Sequence, residues 1–356
     1  MPLAPTSPST AACTWVEPRL QRAGAPRLKV CVVGAGAIGG FLGTRLALAG
    51  DVAVSALARG TTLVALRDHG WRLEQDGARA QAPIALASDD PRELGPQDLV
   101  LLTVKGQALP ALAPTLAPLL TPDTLVLPAM NGVPWWFSDG IAALGARALE
   151  SVDPGGRIAA MIPTAQVVGC VVHAAATTAA PGITLHRMGR GLIVGEPSGA
   201  SSARVARLGE LLRRAGFEVS VSTRIRYDVW YKLWGNMTMN PISALTGATA
   251  DRVLDDELVR AFCATAMREA AAVGARIGCD VRESAEDRFA VTRRLGAFKT
   301  SMLQDVEALR PLELDALVGA VREIGERVGI ATPAIDALFG LTRLFGRVRG
   351  LYPPAT

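Results

Sequence analysis

Hydrophobic and polar positions divide the chain into two regimes near residue 222. Before that point, short apolar runs alternate with segments of helical period. Leu28–Val33 and Val52–Leu57 read as short strands. Residues 98–104 and 123–129 are continuous apolar runs, the pattern of strands buried on both faces of a parallel sheet. Helices are expected over 41–49, 61–69, 201–215 and, interrupted by Pro110 and Pro114, over 107–120. Asp76-Gly77 marks a hairpin turn. The runs 167–174, 183–187 and 191–195, separated by Pro181-Gly182 and Gly189, are expected as hairpin strands that extend the same sheet, with one more strand over 217–220. After residue 222 the strand pattern stops. A helix carrying Lys232 and ending at Asn240-Pro241 is followed by helical patterns over 255–277, 283–304, 311–328 and 333–347.

Between the first strand and first helix stands Gly34-Ala35-Gly36-Ala37-Ile38-Gly39-Gly40. This is G-x-G-x-x-G in a strand–turn–helix setting, the fingerprint of a Rossmann-type dinucleotide site. Gly34 allows the tight turn, Gly36 lets the backbone approach a pyrophosphate, and Gly39 lets helix and strand pack closely. Ala37 and Ile38 then open the helix whose free N–H groups meet the phosphates. The fold expected is therefore α/β: a Rossmann-type dinucleotide-binding domain over 28–222 and an all-helical C-terminal domain over 223–350. An NAD-preferring fold places an acidic residue at the end of the second strand. Here Arg59 stands there, and Asp51 is at the strand's other end. A guanidinium suits a 2′-phosphate, so the expected cofactor is NADPH. Lys105 and Asn131 end two later strands, where an open α/β sheet binds its ligands, and both are placed beside the nicotinamide.

Lys232, Asn236 and Asn240 recur every four residues. On a helix that step drifts only about 40°, so they share one stripe. Trp230, Leu233, Trp234 and Met237 surround them. The chain has four lysines against thirty-three arginines. A lysine among tryptophans in such a chain suggests an amine that must be able to lose its proton.

Composition narrows the alternatives. At 356 residues with 49% hydrophobic and 20% charged residues, the chain is long enough for two globular domains, and no apolar run is long enough to span a membrane. Residues 1–27, rich in Pro, Ala, Ser and Thr, read as a disordered extension without the layout of a secretory signal. The five cysteines and three histidines show no ligand spacing, so no metal is expected, and the cysteine usage fits a cytoplasmic protein. The net charge of +4 comes from scattered arginines, which argues against nucleic acid and suits a small anionic ligand.

Taken together, these residues resemble ketopantoate reductases (2-dehydropantoate 2-reductases), two-domain oxidoreductases of the 6-phosphogluconate-dehydrogenase-like kind. Five signatures carry the resemblance: the Gly34–Gly40 loop, Thr103-Val104-Lys105, Asn131-Gly132, the 232–236 run continuing to Asn240-Pro241, and the 300–305 run continuing to Glu313. The resemblance implies reduction of ketopantoate to pantoate, with hydride from NADPH arriving at C2 and Lys232 as general acid. It assigns the substrate's carboxylate and hydroxyl to Asn236, Asn240 and Ser301. Glu313 would accept from the substrate hydroxyl, and Lys105 and Asn131 would touch both nicotinamide ribose and substrate. Read alone, Ser301 equally suits a helix surface, and Glu313 after Pro311 equally favours a helix dipole. By analogy the helical domain would make a homodimer. The chain departs from the family at Trp135-Trp136-Phe137, where smaller polar residues are usual, and after Lys105 at Gly106-Gln107-Ala108. If the aromatic cluster lines the pocket, the substrate is a bulkier 2-oxo acid; if it packs as core, nothing follows. The remaining alternatives are a non-catalytic NADP(H) sensor and a dehydrogenase running mainly in oxidation on a 2- or 3-hydroxy acid.

Overall fold

Alternation along the first strand sets up both cores of the molecule. In β1 (Leu28–Val33) the side chains of Val30 and Val32 enter one core while Cys31 and Val33 enter another. The computed structural model describes residues 27–354, so the expected N-terminal extension lies, but for Arg27, outside the described residues.

From β1 the chain runs through α1 (Ala37–Ala49), β2 (Val52–Leu57), α2 (Gly60–His69), and the hairpin of β3 (Trp71–Gln75) and β4 (Ala78–Ala82). Asp76 and Gly77 both take positive φ, 51° and 76°, the two-residue turn that matches strand twist. Then come β5 (Ala87–Ser88), α3 (Pro91–Leu94), β6 (Leu99–Leu102), α4 (Leu109–Leu112), β7 (Leu125–Pro128) and α5 (Arg157–Met161). The long hairpin β8 (Gly169–Ala180) and β9 (Ile183–Gly195), α6 (Ala203–Arg214) and β10 (Glu218–Val221) complete this half. The remainder is helical: α7 (Ile225–Thr246), α8 (Ala250–Asp255), α9 (Glu257–Arg276), α10 (Ala285–Arg293), α11 (Ser301–Glu307), α12 (Ala320–Arg327) and α13 (Pro333–Val348).

The first sheet is parallel, in the order β5-β2-β1-β6-β7. The later strands do not extend it, contrary to expectation. They join the β3–β4 hairpin in a second sheet, β10-β9-β3-β4, with β8 antiparallel to β9. An isolated bridge, Val126 to Val167, ties β7 to the residues just before β8, and Trp71 Nε1 of β3 donates to the Val54 carbonyl of β2 at 3.3 Å. Helix α1 is apolar on nearly every side, Thr44 and Arg45 excepted, because it packs against strands of both sheets. A Cβ at Gly43 would lie 2.6 Å from the Trp71 ring, so only glycine allows that approach.

Three helix expectations need correction. Pro241 does not end its helix: α7 continues to Thr246, and residues 237–244 are all buried. The roughly 3 kcal/mol that proline costs inside a helix is small against that burial. The 283–304 segment breaks between α10 and α11, each with its own side-chain cap from Ser284 and Thr300. The 107–120 segment forms only short turns around α4, as its prolines dictate.

The face of the parallel sheet carrying Cys31, Val33, Val100 and Leu102 shares one continuous core with Leu233, Trp234, Met267 and Leu317 of the helical half. That shared core holds α7 over the carboxyl ends of the strands. Trp135, Trp136 and Phe137 belong to it and are 3%, 1% and 0% exposed. The aromatic departure is therefore core: Trp135 Nε1 donates to the Ile162 carbonyl at 3.1 Å, and the Phe137 ring stacks on Trp230 at 5.9 Å.

Candidate active site

The loop after β1 is shaped by close approach. Gly34 sits at φ 94°, a conformation that L side chains avoid. A Cβ on Gly39 would lie 2.2 Å from the Gly34 carbonyl oxygen. Thr103, just past β6, donates its hydroxyl to the Gly34 carbonyl at 2.7 Å and ties the loop to the next strand. Gly36 differs: it is exposed, caps α1, and a Cβ there would meet nothing within 4 Å. That opening, in front of the first turn at Ala37 and Ile38, leaves the room that a pyrophosphate on the helix N-terminus would need. The residues present therefore fit a dinucleotide. Arg59 is exposed at the end of β2 and the start of α2. Asp51 is engaged elsewhere, in an ion pair with Arg214 at 2.7 Å.

Two strands are tied to α7 through Lys232. Lys232 Nζ donates to Asn131 Oδ1 at 2.8 Å, just past β7, and to the Val172 carbonyl of β8 at 2.8 Å. An ammonium has three N–H donors, so one remains for a ligand. Desolvation by burial pulls the Lys232 pKa down to about 8, opposed by the negative charge of Glu313. Asn131 is positioned by the next residue: Gly132 takes φ 81°, and Val133 N–H bonds the Ala316 carbonyl at 2.8 Å, docking this turn on the helical half.

Asn236 lies half-buried one turn beyond Lys232. Asn240, a further turn on, is buried and donates to Ser301 Oγ at 3.3 Å. The stripe is thus carried through to α11, where Thr300 caps the helix and presents Ser301 at its first position. Glu313 accepts from Gly106 N–H at 3.2 Å, and burial raises its pKa above the usual carboxylate range.

Lys105 is brought to the same region, tied down by an ion pair with the buried Asp305 and by the Pro311 carbonyl at 3.3 Å. Asp305 also pairs with Arg310 at 3.1 Å. Its part was not legible beforehand, since a carboxylate two hundred residues from its lysine leaves no local spacing. The same holds for the Val172 carbonyl, because a backbone acceptor has no signature in the sequence. His173 and Arg288 were also missed. Arg288 brings positive charge toward Lys232, and desolvation lowers the His173 pKa to about 4, so that ring is neutral at pH 7. Among the described residues no cluster suits a metal ion, and the four described cysteines are buried and unpaired.

The arrangement can hold a small polar molecule against a polarised amine, beside a dinucleotide cradle. Known proteins agree with it. The profile of ketopantoate reductase PanE/ApbA matches residues 30–199, and that of its C-terminal part matches residues 224–345. A 2-dehydropantoate 2-reductase of Mesorhizobium japonicum is 43% identical over 91% of this chain and its own full length. The crystal structure of a candidate ketopantoate reductase from Ralstonia solanacearum MolK2 is 56% identical, with a TM-score of 0.88 over 92% of this chain and 100% of that one. That of 2-dehydropantoate 2-reductase from Methylococcus capsulatus is 27% identical, with a TM-score of 0.77 over 90% and 98%. The chain belongs to the ketopantoate reductase family of nicotinamide-dependent oxidoreductases acting on CH–OH groups.

Proposed function

We propose that the protein reduces 2-dehydropantoate to pantoate with NADPH. The observation that carries this reading is the Lys232 ammonium, desolvated, held by two acceptors and left with one N–H to donate. The nicotinamide supplies a hydride to C2 of the substrate. Lys232 protonates the oxygen on that carbon, where negative charge develops. Asn131 and the Val172 carbonyl fix the amine so that little reorganisation is needed. Asn236, Asn240 and Ser301 offer neutral hydrogen bonds to the carboxylate and hydroxyl. Glu313, set by Gly106 N–H, accepts from the substrate hydroxyl and supports the charged form of Lys232. Lys105 and Asn131 border the nicotinamide ribose. Trp136 and Phe137 lie in the core and argue for no bulkier substrate, while Trp135 borders a cavity that Gly106 and Glu313 also line.

Steady-state NADPH oxidation with ketopantoate and a phenyl-bearing 2-oxo acid tests the reading. Ketopantoate is expected to have the higher kcat/KM. A reversed order would move the substrate assignment, and no turnover with either, in protein that binds NADPH, would favour a sensor.

Cofactor choice has its own test. Arg59 is exposed and makes no ion pair among the described residues. A charge-assisted contact to the 2′-phosphate contributes about 1.5–3 kcal/mol, so Arg59→Ala should raise the KM for NADPH about ten- to hundredfold and leave that for NADH unchanged. Equal effects on the two cofactors would remove Arg59 from the phosphate site.

A further inference from the structure

A carboxylate entering this site must give up water, and a desolvated anion needs a cation. The groups assigned so far do not supply one. Asn236, Asn240 and Ser301 are neutral, Lys105 is held in an ion pair on Asp305 that Arg310 shares, and Lys232 is committed to the oxygen at C2. Arg288, on α10, is the cation left over. It is half-buried, its Nε is buried without a hydrogen-bond partner, and its guanidinium makes no ion pair among the described residues. Its guanidinium lies over the Tyr231 ring at 5.6 Å. It is also pressed onto the backbone of α7 at Gly235, where a Cβ would come within 2.5 Å of Nε. No other residue at 235 would let the guanidinium lie so low on the helix.

Helix geometry says where this puts the charge. Taking Lys232 as reference, Asn236 and Asn240 lie about 40° and 80° to one side, while Gly235 and Tyr231 lie about 60° and 100° to the other. Arg288 thus flanks Lys232 on the side opposite the asparagines. It is near enough to oppose protonation of both Lys232 and His173. In a 2-oxo acid the carboxylate is bonded directly to the carbon that is reduced, whereas the hydroxyl of ketopantoate is further along the chain.

We infer that Arg288 is the charged anchor of this site, pairing with the C1 carboxylate beside Lys232, to which the asparagine side adds only neutral hydrogen bonds. The inference rests on the reductase reading for the substrate, but not for the anion. Its guanidinium fork offers two parallel N–H donors to a carboxylate, which Tyr231 and Gly235 hold in place beforehand.

Two measurements on wild type, Arg288→Met and Arg288→Lys test it. The first is calorimetric titration of the NADPH complex with 2-hydroxy-3-methylbutanoate, a carboxylate that cannot be reduced. Arg288→Met should weaken binding about ten- to hundredfold with NADPH affinity unchanged, and Arg288→Lys should recover part of the loss. The second is KM for ketopantoate against its neutral lactone. The variants should raise the first KM and leave the second. Should Arg288→Met fail to fold, Arg288→Lys carries both readings, since it keeps the charge but lacks the fork. Unchanged binding of the hydroxy acid, no binding of it to wild type, or equal losses for acid and lactone would each overturn the anchor. Wild type that binds the hydroxy acid through Arg288 but turns over no 2-oxo acid would overturn the reductase reading and leave the anchor standing.

Discussion

Lys232→Ala is expected to lose about 10²–10⁴ in kcat for reduction, the usual contribution of a positioned general acid. NADPH affinity should stay near that of wild type, because the amine bonds Asn131 and Val172 rather than the dinucleotide loop. The pH dependence gives an independent reading. The pKa of Lys232 is lowered to about 8 by desolvation, against the raising effects of Cys170 and Glu313, with Arg288 lowering it further. The protonated amine is the form that donates. Reduction should therefore be flat below pH about 8 and fall tenfold per pH unit above it, while oxidation of the hydroxy acid, which needs the free amine, should rise through the same pH. The alkaline limb should vanish in Lys232→Ala. A variant that keeps wild-type kcat, or keeps that limb, would take the proton away from Lys232.

Trp136→Ala should cost about 3–5 kcal/mol of folding stability, measured by urea denaturation, without altering the ranking of aliphatic against aryl 2-oxo acids. The indole is 1% exposed and fills the space above Gly169, where a Cβ would come within 2.9 Å of the ring. It stands in the core that joins the parallel sheet to the helical half, so the loss is expected across the whole cooperative unit. Trp136→Phe should be much milder, since the indole N–H that it removes is buried without a partner. A Trp136→Ala enzyme of undiminished stability that gains activity on aryl substrates would return the cluster to the pocket.

What could be read from sequence was whatever a short stretch of backbone decides for itself. Gly34, Gly36 and Gly39 announce the dinucleotide turn because strand, turn and helix are neighbours in the chain. Lys232, Asn236 and Asn240 share a stripe because helical period is local, and Asp76-Gly77 turns because two adjacent residues accept positive φ. Partnership across the chain was decided only by tertiary structure. The β8–β9 hairpin has the same alternation whether it extends the first sheet or builds a second, and only pairing of β9 with β3 and β10 separates the two outcomes. Pro241 reads as a stop, yet burial on α7 outweighs its local cost. The amine of Lys232 could be marked in advance, but not the Val172 carbonyl that holds it. The guanidinium of Arg288, one of thirty-three in the sequence, becomes singular only when folding lays it on Gly235 without a counterion among the described residues. Local periodicity fixes which face a side chain occupies; desolvation and charge pairing depend on what the fold brings against that face.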